Sequence, residues 1–128
     1  HKLDVVHEGI DTDLLAPKPG AEVTIGDWTL RQGEPIVTYV ARNLEPYRGF
    51  HTFMRALPAL QKRAPDARVV IVGGDEVSYG MRLPAGDSYR ARLLKELDGR
   101  LDLSRIRFTG KLPYGTYAAL LQVSAVHT

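Results

Sequence analysis

From about residue 35 the chain alternates short apolar, β-branched runs with segments whose apolar residues recur at helical spacing, and this rhythm constrains the fold more than any other feature. Pro35-Ile36-Val37-Thr38-Tyr39-Val40-Ala41 is apolar throughout and too short for a helix, which predicts a strand buried on both faces of a parallel sheet. From Phe50 the residues Phe53, Met54, Leu57 and Leu60 share one helical face. Pro58 falls inside that pattern, so the expectation is one helix bent at Pro58 and ending before Pro65. Ala67 to Val72 reads as a second buried strand, closed by Gly73-Gly74. A loop follows over residues 75–88, marked by Gly80, Pro84 and Gly86. Tyr89 to Leu97 reads as a helix with Leu93, Leu94 and Leu97 inward and Gly99 as its stop. Ile106 to Thr109 is a third strand and Gly110 to Gly115 a turn. Thr116 to Val123 is a helix burying Ala119, Leu120 and Val123, and Val126 starts the next strand. Strands and helices that alternate over short connections build right-handed crossovers, so the fold class is α/β, a Rossmann-like open parallel sheet with flanking helices.

The first 34 residues lack this rhythm, which divides the chain into a segment 1–34 and an α/β unit 35–128. Leu3 to His7 reads as a short strand, and Glu22 to Leu30 as a hairpin turning at Gly26-Asp27. No cysteine is present among the 128 residues, which excludes disulfide scaffolds, thiolate zinc sites and cysteine nucleophiles. The net charge of +2 comes from interleaved acids and bases without a basic run, so nucleic acid is not an expected partner. No apolar stretch approaches the roughly 20 residues that cross a bilayer, and no signal-peptide pattern opens the chain. The compartment stays open, with the cytoplasm as default and the inner face of a membrane open to a longer protein. His1 and Thr128 look like cut ends, so a fragment is expected.

In an open α/β sheet, ligands bind beyond the carboxyl ends of the strands. Three turns occupy that place. Ala41-Arg42-Asn43-Leu44-Glu45-Pro46-Tyr47-Arg48-Gly49 sets two guanidinium groups near a strand end and a helix N-terminus, where free N–H groups and the helix dipole favour an anion. Arginine suits a diphosphate because its planar fork engages two oxygens. The blander alternative pairs Arg42 and Arg48 with Glu45 at the surface. Val72-Gly73-Gly74-Asp75 either brings backbone close to a ligand or simply turns the chain, and it lacks the third glycine of a dinucleotide fingerprint. Phe108-Thr109-Gly110-Lys111-Leu112-Pro113-Tyr114 could wrap a base or sugar, or merely connect strand to helix. His7, His51 and His127 are too scattered for a metal triad, and no nucleophile elbow occurs. Asp75, Glu76 and Asp87 read as solvated loop carboxylates, and Trp28 as a packed aromatic.

Taken in order, these segments resemble the carboxy-terminal, nucleotide-sugar-binding domain of the family 4 (group 1) glycosyltransferases, which have the two-domain GT-B fold. His7-Glu8-Gly9-Ile10-Asp11, with Thr12 and Asp13, is similar to the family's Asn-Gly-Val-Asp segment, with Glu8 in place of Asn. Arg42 stands at the family's Gly-Arg, with Ala41 for the glycine, and Arg48-Gly49 at its Lys-Gly. Pro65-Asp66, the strand ending in Gly73-Gly74, and Phe108-Thr109-Gly110-Lys111-Leu112 at the Phe-x-Gly segment complete the order. The resemblance implies that Arg42, Arg48 and Gly49 hold the donor diphosphate, and that Gly73, Gly74, Gly110, Lys111 and Leu112 lie against the nucleotide. It implies a retaining transfer from a nucleotide-diphosphate sugar, with no cofactor and no metal required. The catalytic residues are unknown: the family's paired glutamates are expected beyond Thr128, and the acceptor-binding domain before His1. An isolated fragment of this kind is expected to be inactive, with self-association through an exposed sheet edge. A non-catalytic flavodoxin-like binding or regulatory domain is the alternative.

Overall fold

The computed structural model describes residues 9–128, so the strand expected at Leu3 to His7 lies outside the described residues, as do His7 and Glu8 of the segment preceding Gly9. Among the described residues the first strands form the expected antiparallel hairpin, β1 (Glu22–Ile25) and β2 (Trp28–Arg31), turning at Gly26 with φ of +61°. There follow β3 (Ile36–Asn43), a 3-10 turn (Pro46–Arg48), α1 (Phe50–Arg63), β4 (Arg68–Gly74), α2 (Tyr89–Glu96), β5 (Ile106–Gly110), α3 (Tyr114–Val123) and β6 (Val126–His127).

Strands β3 to β6 form one parallel sheet in the order β5-β4-β3-β6. The chain adds two strands on one side of β3, then crosses to the other side. β3 and β6 are thus neighbours reached by helices on opposite faces, α1 after β3 and α3 before β6, and a crevice lies at the carboxyl end of β3. Both faces of the sheet are covered, as the apolar runs require. On one face Tyr39, Val69 and Ile71 meet Phe50, Met54 and Leu57 of α1 and Leu93 of α2, with Leu97 just beyond it. On the other, Ile36, Val70 and Val72 meet Val23, Ile25 and Leu30 of the hairpin and Leu120 and Val123 of α3. The hairpin therefore serves as a covering layer beside α3. Phe50, Met54 and Leu57 are each fully buried, worth roughly 1.5–3 kcal/mol apiece on transfer grounds.

The single helix expected around Pro58 is present, and only the expected start of α3 needs adjusting. α1 passes through Pro58 as one element, because Met54 and Leu57 before it and Gln61 after it stay buried and hold both halves against the sheet. Gln61 also clamps the Asp102 backbone, donating to its carbonyl at 2.8 Å and accepting its N–H at 2.9 Å. α3 begins at Tyr114 rather than Thr116, and buries Ala118 more fully than Ala119. Gly115 lies in its first turn, where N–H groups have no intrahelical partner and a weak helix former costs little. α2 is capped by Ser88, whose hydroxyl accepts from the Ala91 N–H at 3.1 Å.

Candidate functional site

The crevice at the end of β3 is built by strand pairing on both sides. β4 pairs with β3 as far as Asn43, and the Leu44 N–H then donates to the Gly74 carbonyl at 2.8 Å. On the other side the Thr38 hydroxyl lies 2.8 Å from that of Ser124 and 3.0 Å from His127 Nδ1, tying β6 to β3. Between them opens a cavity of about 330 Å³ lined by Tyr39, Val40, Ala41, Arg42, Arg48 and Thr128. A second cavity of about 210 Å³ shares Val40, Ala41 and Arg42 and adds Val72, Lys111, Leu112 and Tyr117. Arg42 thus borders both hollows, and three other predicted site residues line one or the other: Arg48 the first, Lys111 and Leu112 the second. Gly49 caps α1 with φ of +78°, a left-handed conformation that only glycine adopts readily. A larger hollow of about 550 Å³ between residues 13–19 and α3 has Lys18 as its one lining cation.

Some cations of the domain are paired with carboxylates, while others, the two crevice arginines and Arg63, Arg82 and Arg100 among them, have no such partner within 4.0 Å among the described residues. Arg55 is paired with Glu96 at 2.7 Å, Arg90 with Asp75 at 2.5 Å, Arg92 with Asp87 at 2.7 Å and Lys111 with Glu76 at 3.1 Å. Arg42 and Arg48 have no carboxylate within 4.0 Å among the described residues. The surface pairing of both with Glu45 is not formed. Glu45 is buried, and its Oε2 accepts the N–H groups of Ser78 and Tyr79, both at 2.9 Å. The Arg48 guanidinium lies instead over the Tyr79 ring at 5.4 Å and near that of Tyr47 at 6.0 Å. Such contacts hold a cation without neutralising it. Its backbone carbonyl accepts from the Tyr39 hydroxyl at 3.0 Å. Burial pushes the Tyr39 phenol above its ordinary pKa, with Arg48 drawing it back and Glu45 adding to the rise.

The glycines divide in role. A side chain at Gly73 would meet Leu44 Cδ2 at 2.7 Å and the Ala41 carbonyl oxygen at 2.8 Å, so Gly73 permits the close approach of two backbone turns. Gly74 faces Glu76 Oε2, Asn43 Oδ1 and Lys111 Cε, all within 3.0 Å of where a Cβ would sit. Gly110, at φ of +69°, has open space on that side. With its amide oriented to satisfy every partner, Asn43 donates to Glu76 Oε2 at 2.7 Å and the Arg42 carbonyl at 2.8 Å, and accepts from the Ser78 hydroxyl at 2.7 Å. Lys111 holds the Glu76 carboxyl below the usual range, and that pairing compensates the lysine's own charge. Asp75, Glu76 and Asp87 are solvent-accessible loop carboxylates, each also lying against a cation. Trp28 packs beneath Arg107 at 4.7 Å and Arg68 at 5.6 Å.

Asn43, Glu45, Ser78, Tyr79 and Thr128 belong to this constellation without having been singled out as site residues in the sequence. Among the described residues no trio of His, Asp or Glu is grouped to hold a metal ion, and no helix is long and apolar enough to cross a membrane.

Comparison with known proteins adds an independent line. The family model described as "Glycosyl transferases group 1" matches residues 22–127. The chain is 38% identical over 85 residues to a GDP-mannose-dependent alpha-(1-6)-phosphatidylinositol monomannoside mannosyltransferase of Mycolicibacterium smegmatis, which is 66% of this chain and 22% of that protein. The Mycobacterium tuberculosis protein of the same name is 36% identical over 86 residues, again 66% of this chain and 22% of the relative. A D-inositol 3-phosphate glycosyltransferase of Mycobacteroides abscessus is 36% identical over 75 residues, 57% of this chain and 15% of the relative. No solved structure matches.

Proposed function

The chain belongs to the group 1 glycosyl transferases, and on that premise we propose that it carries the diphosphate-gripping part of a donor site for a nucleotide-diphosphate sugar. The observation that carries the reading is the pair Arg42 and Arg48, both without a carboxylate partner among the described residues and both lining one cavity where the strand order reverses. Two guanidinium groups without a salt-bridge partner among the described residues, beside the start of a 14-residue helix, favour a dianionic ligand over a neutral one. Lys111 and Leu112, across the adjoining hollow, stand where the nucleoside would continue from the diphosphate.

In transfer from such a donor the bond from the anomeric carbon to the diphosphate oxygen breaks, and negative charge grows on the leaving group. Cations fixed beforehand stabilise that charge more than they stabilise the bound substrate, which lowers the barrier. Arg42 and Arg48 have this role, and their positive charge takes the place of a divalent metal. The reading includes retention at the anomeric carbon and a second domain supplying the acceptor. As two relatives are named GDP-mannose-dependent, GDP is the first nucleotide to test.

The test is calorimetric titration of the chain with GDP, UDP and ADP, beside a variant carrying Arg42→Ala and Arg48→Ala. Each charge-assisted contact is worth about 1.5–3 kcal/mol, so the double variant should weaken binding by at least about a hundredfold. Binding of none of the three at millimolar concentration, or binding indifferent to both substitutions, refutes the proposal.

A further inference from the structure

Glu45 is a buried carboxylate to which the donor-site reading gives no role. Only 1% of its surface is exposed, and it lies three residues before Arg48 in the turn between β3 and α1. Oε2 accepts two backbone N–H groups, from Ser78 and Tyr79, while Oε1 has no hydrogen-bond partner among the described residues. Burying a carboxylate is costly unless hydrogen bonds replace the lost water, and here only one oxygen is so compensated. What the two bonds accomplish is to bind the loop after β4 to the turn after β3. They fix the backbone at Tyr79, whose ring lies 5.5 Å from that of Tyr47 and 5.4 Å from the Arg48 guanidinium.

The geometry points to Glu45 as a positioning residue: acting through Tyr79, it holds the Arg48 guanidinium at one place on the rim of the crevice. An arginine held beforehand loses less side-chain freedom when an anion arrives, so affinity rises without a new contact. The inference rests on the reading of Arg48 as a diphosphate contact, yet its first consequence is visible without any ligand.

The experiment compares wild type with Glu45→Ala, Glu45→Gln and Tyr79→Leu, following the Arg48 Nε–H resonance by NMR after assigning it through Arg48→Lys. In wild type the aromatic rings should shift this signal away from that of a free arginine. Glu45→Ala should return it toward the free position while the amides of β3 and β4 stay in place. Tyr79→Leu should do the same. Glu45→Gln keeps an oxygen for both N–H groups and should restore the wild-type signal. Titration with GDP, UDP and ADP then reads the functional effect: loss of one exposed cation–π contact weakens affinity by about two- to fivefold, and Glu45→Gln should remain within about twofold of wild type. An Arg48 signal unmoved in folded Glu45→Ala, or moved there but not in Tyr79→Leu, overturns the inference. So does unchanged nucleotide affinity in a Glu45→Ala variant whose Arg48 signal has moved. Wild type that binds none of the three nucleotides sinks the donor-site reading instead, and the ligand-free signal still decides whether Glu45 positions Arg48.

Discussion

Replacing Gly73 and Gly74 one at a time by alanine separates the packing of the crevice from its chemistry. At Gly73 the new methyl would stand 2.8 Å from the Ala41 carbonyl oxygen and 2.7 Å from Leu44 Cδ2. The oxygen belongs to a strand backbone and Leu44 is buried, so neither can withdraw without moving the turn that carries Arg42. Overpacking of this kind costs about 1–3 kcal/mol, and the φ of +157° at Gly73 adds strain for any residue with a Cβ. At Gly74 the nearest atoms are Glu76 Oε2, the side-chain amide of Asn43 and Lys111 Cε; the buried Asn43 can yield only by tilting its amide, whereas the Glu76 and Lys111 ends are flexible and exposed. Displacing them breaks a surface ion pair worth at most about 1 kcal/mol. Urea unfolding followed by circular dichroism should therefore show Gly73→Ala less stable than Gly74→Ala by about 1–2 kcal/mol, with equal slopes. For a domain of this length the thermal midpoint of Gly73→Ala should fall by roughly 5–10 °C. Gly73→Ala within about 0.5 kcal/mol of wild type, or Gly74→Ala the more damaging of the two, would refute the assignment of Gly73 to packing.

Other outcomes follow from features already described. Gln61→Ala leaves both the N–H and the carbonyl of Asp102 without their side-chain partner and should cost about 1–3 kcal/mol, read by the same urea titration; a loss below about 0.5 kcal/mol means water replaces the clamp. The raised Tyr39 pKa means that the folded state favours the neutral phenol, a contribution complete below the unfolded value of about 10 and lost as pH rises through the folded one. Stability should thus fall in alkali, and Tyr39→Phe should flatten that fall; equal slopes in the two proteins contradict the assignment. β6 pairs with β3 alone among the described residues and leaves Val126 half exposed, so light scattering should report association that rises with concentration and falls in Val126→Lys. A clean monomer at high concentration speaks against it.

The strands and helices were legible because each is local: a β-branched run, a helical stripe, or a turn such as Gly26-Asp27 declares itself within ten residues. The sequence places the turn from Gly110 to Gly115, whereas α3 already starts at Tyr114, because the first turn of a helix tolerates glycine. Arg42 and Arg48 stood out by residue type and position in the β–α turn, and the structure brings them to one cavity. Glu45 was legible only as their nearest counter-ion. Its actual partners lie 33 and 34 residues ahead, at Ser78 and Tyr79, and nothing local to either segment signals that the two turns meet. The parts of the site that depend on such distant pairings, Asn43 with Ser78 among them, are set by the return of β4 alongside β3 and have no sequence pattern of their own.

The strand order also has a consequence for how the crevice comes into being as the chain is synthesised. Of the parallel strands β3 emerges first, and β4 and β5 extend the sheet away from it on one side, burying Phe50, Met54 and Leu57 as they do so. Only after residue 123 does the polypeptide double back and lay Val126 and His127 against the opposite flank of β3. A nascent chain halted before that point would carry both arginines on a largely formed sheet and still lack one wall of the crevice. The crevice would therefore be complete only once translation had passed the reversal, well after the first half of the core had closed.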